Sequence, residues 1–134
     1  MRYLLDTNIC IYLIRKKPPQ VLRKFSTYSV GEVAISSITV AELQFGVQKS
    51  QYPSQNQRAL EQFLVPLTIV DFDYKAAIAY GGVRATLESQ GTPIGPLDTL
   101  IAAHALSLNV TLVTNNIREF SRVPDLKLAN WASD

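Results

Sequence analysis

The chain has 134 residues, 47% of them hydrophobic and 18% charged, with a formal net charge of +2 and one cysteine. That is enough for one domain over residues 1–134 with its own core, and it excludes a disordered chain and an internal disulfide framework. The longest apolar run, residues 9–14, closes on Arg15-Lys16-Lys17 and falls short of the roughly 18 residues that cross a bilayer, so no membrane span is expected.

Residues 2–5 read as a short buried strand that stops at Asp6-Thr7-Asn8. A carboxylate there stands at the C-terminal edge of a strand, where open α/β sheets bind ligands. Asp6 also suits the N-cap of the following helix, which on this stretch alone is the simpler role. Because Asp6 interrupts the apolar stretch that a secretory leader would need, we expect no signal peptide and a cytoplasmic location. The helix over residues 9–14 is apolar on all sides and must be covered on more than one, so a partner is expected over part of it. Cys10 sits in it as a small core residue. Pro18-Pro19 ends the helix, and another follows over residues 20–28. Residues 1–31 hold six basic side chains against Asp6 alone, an excess that fits either a phosphate backbone or a solvated basic turn.

Val33-Ala34-Ile35-Ser36 is the second strand, leading into a helix over residues 39–49 that carries Glu42. The residues three and four places away are Ile38, Thr39, Phe45 and Gly46, so no basic side chain pairs with Glu42 on its own helix. Thr39 and Glu42 also fit a capping box, with Ser36 and Ser37 as rival caps. Residues 51–57 read as a polar connection, 58–65 as a helix closed by Pro66, and 67–70 as a third strand. Asp73 caps a long helix to about residue 90, in which Arg84 and Glu88 form an ordinary exposed pair. The loop 91–96 delivers Asp98 into the first turn of a helix ending near residue 108. There a carboxylate favours the helix dipole, yet its face is shared with Ile101, Ala102 and Ala105 and has no cation. His104 reads as a core or interface residue. Residues 110–113 form a fourth strand ending on Thr114-Asn115-Asn116, residues 117–120 a short helical turn, and 126–129 a last edge strand, with Trp131 packing the tail. Strands alternating with helices mean an α/β fold with a largely parallel sheet.

Asp6, Glu42 and Asp98 each open a helix, and converging they would form an all-oxygen site suited to Mg²⁺ or Mn²⁺ and to metal-assisted phosphodiester cleavage. Withdrawing these three acids into a metal site would leave 13 basic side chains facing eight acidic ones on the outside.

Leu4-Leu5-Asp6-Thr7-Asn8, the run from Ser36 to Leu43 with Gly46, Pro93-Ile94-Gly95-Pro96-Leu97-Asp98, and Val113-Thr114-Asn115-Asn116 with Glu119-Phe120 together resemble a PIN-domain ribonuclease of the VapC toxin type. The match is in order and spans nearly the whole chain. The resemblance implies a Mg²⁺-dependent endoribonuclease, with Mn²⁺ able to substitute, acting on tRNA and neutralised by a VapB-type antitoxin. It also implies a homodimer, a parallel five-stranded sheet flanked by helices, and Asp6, Glu42 and Asp98 as catalytic metal ligands. Thr7, Asn8 and Thr114 would orient these carboxylates. The family's usual fourth acid, an Asp two residues after the Thr that closes the strand, is here Asn116. Either Asn116 or Glu119 fills that place, and the change leaves open a non-cleaving PIN-like RNA-binding protein.

Overall fold

The computed structural model describes residues 1–132, in which short strands alternate with helices. In chain order they are β1 (Tyr3–Leu5), α1 (Thr7–Arg15), α2 (Pro19–Ser26), β2 (Val33–Ser36), α3 (Ser37–Gln48), α4 (Pro53–Leu64) and β3 (Thr68–Val70). Then come α5 (Tyr74–Ser89), α6 (Pro96–Leu108), β4 (Thr111–Val113), α7 (Ile117–Phe120) and β5 (Leu128–Ala129). The strands form one sheet in the order β3-β2-β1-β4-β5, and every neighbouring pair is parallel. From β1 the chain moves to β2, and from β4 it moves the other way to β5. The β1/β4 boundary is therefore the topological switch point, where the crevice beyond the strand ends can accept a ligand.

Parallel strands covered on both faces need apolar side chains at successive positions, because neighbours point to opposite sides. Leu4, Ala34 and Leu112 face one layer, built on α5, α6 and Phe120. Leu5, Val33, Ile35 and Val113 face the other, built on α1, α3, α4 and Trp131. Trp131 stacks on Tyr28 at 5.4 Å between ring centroids and closes that layer over the tail. Among the described residues no helix is long and apolar enough to cross a membrane.

Two elements depart from the sequence pattern. Residues 53–57, expected as connection, already belong to α4. Pro53 sits in the first turn, where its fixed φ and missing N–H suit a helix start, while the polar run after it hides the apolar period until Leu60. Helix α3 begins at Ser37 because Ser36 is its cap, its hydroxyl accepting from the Ile38 amide at 3.0 Å. The capping box from Thr39 to Glu42 does not form. The buried Thr39 hydroxyl has no hydrogen-bond partner among the described residues. The same Ser36 hydroxyl meets Nδ1 of the buried His104 at 2.8 Å, tying β2 to α6, and Phe72 packs edge-on against the ring. Burial lowers the His104 pKa, which keeps the ring neutral as a core residue.

These two hydroxyls make a matched test. Ser36→Ala removes a cap and strands a buried ring nitrogen, so urea unfolding should show a loss of about 2–3 kcal/mol. Thr39→Val, which removes only an unpaired hydroxyl, should be neutral or slightly stabilising. Equal losses in the two variants would refute the assignment of Ser36 as the cap.

Candidate functional site

Asp6 stands at the switch point, one residue past β1. Its amide donates to the Val113 carbonyl at 3.0 Å, which fixes the residue against β4. One side-chain oxygen, Oδ1, accepts from the Ile9 amide at 2.9 Å, so the residue does cap α1. The side chain is only 4% exposed, and no Lys or Arg forms an ion pair with it among the described residues, where the ion pairs are Arg2–Glu32 and Arg84–Glu88. Burial pushes the Asp6 carboxyl up to about 6. Hydrogen bonds from the Thr114 hydroxyl and the Ile9 amide oppose the rise, and the charges of Asp98 and Glu42 add to it.

Glu42 lies in the second turn of α3, half-buried, and its Oε1 accepts from the Thr7 hydroxyl at 2.7 Å. Asp98 is in the first turn of α6, and its Oδ2 lies 3.7 Å from the place a Cβ would take on Gly95. Burial raises its pKa first, then the charge of Glu119, then that of Glu42. Beyond β4, the buried Thr114 hydroxyl accepts from the Asn116 amide at 2.9 Å, and the Asn116 side-chain amide donates to Glu119 at 3.1 Å. The two candidates for the fourth position are thus hydrogen-bonded to each other. Asn8 is exposed and makes no side-chain hydrogen bond among the described residues.

The four carboxylates share one electrostatic neighbourhood, but they do not close on a point. Among the described residues no three acidic, histidine or cysteine side chains stand close enough to hold one ion as arranged here. Glu42 and Glu119 are held by neutral donors of neighbouring residues, and like charges with no cation between them favour rotamers that keep apart. The donor set nonetheless fits a hard divalent cation. It is all oxygen, partly buried and unmatched by any cation of the chain, and an unpaired buried carboxylate is otherwise costly. Zinc-type thiolate and imidazole donors are absent from it, since Cys10 and His104 are both buried in the core.

Two features around the site carried no local signal in the sequence. Asn115 donates from its side-chain amide to the Tyr12 hydroxyl at 2.6 Å across 103 positions of chain. A groove of about 430 Å³ runs between α1, α3 and α4, with Thr7 and Glu42 along it, Ile11, Ile14 and Val47 on its walls, and Arg15 and Lys49 also lining it. The groove exposes the flank of α1 that its apolar sequence left to be covered. Of the six basic side chains in residues 1–31, Arg15 is the one that lines this groove. Arg2 precedes β1, at the opposite strand end from Asp6, where it pairs with Glu32 at 3.3 Å. Arg15 ends α1, about 13 Å along that helix from its start.

Residues 3–126 match the family model described as PIN domain. The chain is 50% identical over 132 residues to ribonuclease VapC2 of Rickettsia felis, covering 98% of each protein. It is 42% identical over 131 residues to the tRNA(fMet)-specific endonuclease VapC of Salmonella typhimurium, again covering 98% of each. The structure superposes with a TM-score of 0.92 on a chain of the Rickettsia felis VapBC2 complex bound to a DNA fragment from their promoter, at 49% identity, covering 98% of this chain and 99% of that one.

The raised Asp6 pKa fixes a pH dependence for the metal-free protein. With the folded value near 6 and the ordinary value 3.8, the folded state takes up a proton between the two. Asp6 therefore favours folding most below about pH 4, and that contribution is lost as pH rises through 6, by on the order of 3 kcal/mol. In urea unfolding curves from pH 4 to 7, Asp6→Asn should remove this loss and leave the variant the more stable at pH 7. A pH difference between the two proteins that stays flat would overturn it.

Proposed function

The chain belongs to the PIN-domain family, and from that premise we propose that it is the toxin of a VapC-type pair, cutting tRNA with a divalent cation held by Asp6, Glu42 and Asp98. Its ribonuclease character follows from relatives at 42–50% identity that carry the names ribonuclease and endonuclease. The observation that supports the site assignment is a set of buried or half-buried carboxylates near the switch point of the sheet, whose charges raise the pKa of Asp6 and of Asp98 and which form no ion pair among the described residues. Mg²⁺ is the cation proposed, with Mn²⁺ able to replace it, since both favour carboxylate oxygen. Such a cation, when bound, withdraws charge from the phosphate and lowers the pKa of a water.

The chain's own residues hold the ligands in place. Thr7 donates to Glu42, the Thr114 hydroxyl favours the charged form of Asp6, and the Asn116 side-chain amide donates to Glu119. We assign Glu119 as the fourth acid, because it is hydrogen-bonded to Asn116 beyond the end of β4 and its charge is the first of the neighbouring charges that raise the Asp98 pKa. Asn116 then acts as its positioning residue. With that charge supplied from Glu119, the Asn at position 116 gives no reason to favour a protein that binds RNA without cutting it.

The partner proposed is a VapB-type antitoxin, since similar chains are solved in VapBC complexes. The groove beside Thr7 and Glu42 is where a bound segment would mask the ligands. A homodimer and a cytoplasmic location belong to the same reading, and Tyr74 and Ile78, exposed one turn apart on α5, are apolar surface that a second copy would cover.

The test is cleavage of purified bulk tRNA, and of initiator tRNA alone, with Mg²⁺ and with EDTA, followed by sequencing of the new ends. Asp98→Asn should reduce cutting more than 100-fold, and Thr114→Val should weaken Mn²⁺ binding about 10- to 100-fold while the protein stays folded. Glu119→Gln should match Asp98→Asn, and Asn116→Ala should fall between it and the parent chain. Full activity in Glu119→Gln would remove Glu119 from the site. Cutting that is indifferent to EDTA would overturn the metal-dependent reading.

A further inference from the structure

A second pocket, of about 210 Å³, lies between the C-terminal half of α5 and the loop that enters α6, lined by Tyr80, Arg84, Leu87, Pro93, Ile94 and Pro96, with the Glu88 carboxylate also on its wall. None of the four acids lines it, yet it adjoins them through one short stretch of chain. Gly95 and Pro96 lead directly to Asp98. Thr99, also on the pocket wall, pins that turn by donating from its hydroxyl to the Gly95 carbonyl at 2.8 Å. A strand of RNA lying across Asp98 has to leave the cleft over some rim, and this loop is the rim next to Asp98.

The size and lining narrow the occupant. The volume is below the roughly 300–1,000 Å³ of sites for drug-sized ligands, so it suits one ring system rather than a cofactor. Two prolines, Ile94 and the Tyr80 ring offer apolar faces of the kind on which an unstacked base rests. The cation on the wall is Arg84. This side chain is exposed; its Nη1 donates to the Tyr80 hydroxyl at 3.0 Å and its Nε to Glu88 at 3.4 Å, so that Nη2 is open to solvent or to a ligand. Arg122 grips the same loop, donating from Nη1 to the Pro93 carbonyl at 3.0 Å. An apolar seat with an accessible guanidinium beside it matches a nucleotide, whose base is flat and whose phosphate accepts N–H groups of an arginine.

Resting on the endoribonuclease reading, we infer that this pocket seats the base of an unpaired nucleotide flanking the scissile phosphate, with Arg84 on the adjoining backbone, and thereby sets which nucleotide stands beside the cut. Paired RNA keeps its bases stacked and its major groove closed to side chains, so the substrate segment is a loop whose base can be turned out.

The experiment uses the full chain and a pool of RNA stem-loops with randomised loops, with Mn²⁺ for cleavage and Ca²⁺ for binding. Tyr80→Leu and Arg84→Ala should each raise KM about ten-fold with a much smaller change in kcat. Both should relax the nucleotide preference at one position beside the cut, and Arg84→Ala should flatten the salt dependence of binding by about one phosphate contact. Lys127→Ala, which removes an exposed charge before β5, is the control for general loss of basicity. Unchanged KM and preference in both variants would overturn the pocket. So would a parallel fall of kcat and of Mn²⁺ binding by the free protein, since the residues would then only support the Asp98 loop. A parent chain that cuts no RNA refutes the nuclease reading, and the pocket is then judged in Ca²⁺ alone, where retention of the stem-loops equal to the parent's in both variants refutes it too.

Discussion

The buried carboxylate of Asp6 at the β1/β4 boundary is the constraint around which the other polar groups of the site are set. An acid so enclosed would ordinarily be met by a basic side chain, because an unpaired charge in the interior is costly and breaking a buried pair costs several kcal/mol. Here the chain supplies only neutral donors. Thr114 and the Ile9 amide reach Asp6, Thr7 reaches Glu42, and Asn116 reaches Glu119. Such donors orient a carboxylate without cancelling its charge. A Lys in their place would relieve the repulsion and also compete with any divalent cation, so a site of this kind and an internal ion pair exclude each other.

The fold accommodates this repulsion because the acids stand where the strands end. Beneath the strand ends, Leu4, Leu5, Leu112 and Val113 are fully buried and packed on both faces. Each helical layer has its own opening, the groove of α1, α3 and α4 in one and the pocket of α5 and the loop into α6 in the other. Glu42 belongs to the groove and Asp98 adjoins the pocket. On the proposed function, an inhibitory segment in the groove disturbs the cluster from the Glu42 side while the nucleotide pocket stays open, so inhibition and substrate recognition use different walls of one cleft.

The parallel α/β architecture was legible because its strands are short apolar runs ended by Asp, Ser or Thr, and because helices follow at once. The lack of a basic partner for Glu42 and Asp98 was legible for a related reason: Glu88 has Arg84 one turn away, whereas these two have only apolar or small neighbours on their own helices. What escaped was of two kinds. The start of α4 escaped because Pro53 opens a run of polar residues, and propensity without periodicity does not mark a boundary. The contacts from Ser36 to His104 and from Asn115 to Tyr12 escaped because they join residues 68 and 103 positions apart, which no local pattern encodes. The pairing of Asn116 with Glu119 was within reach, since the two are three residues apart across a helical turn. Hydrogen-bonded to each other, the two can serve one position together.

The caps show the same overlap of roles. Read along the chain, Asp6 is either an N-cap or a ligand, and Glu42 either a capping-box acid or a ligand. Asp6 accepts the Ile9 amide on Oδ1 alone, and a carboxylate has two oxygens with about four acceptor sites. Capping α1 therefore removes no capacity that an ion would need, and it fixes the rotamer from which the other oxygen projects. Ser36 divides its hydroxyl in the same way between the Ile38 amide and His104. Glu42 is different because Ser36 already caps α3, which leaves its carboxylate to Thr7 and the cleft. A helix that begins at a strand end thus brings a cap and a candidate ligand to the same edge of the sheet. Whether one residue can be both depends on how many acceptor sites the cap leaves unused.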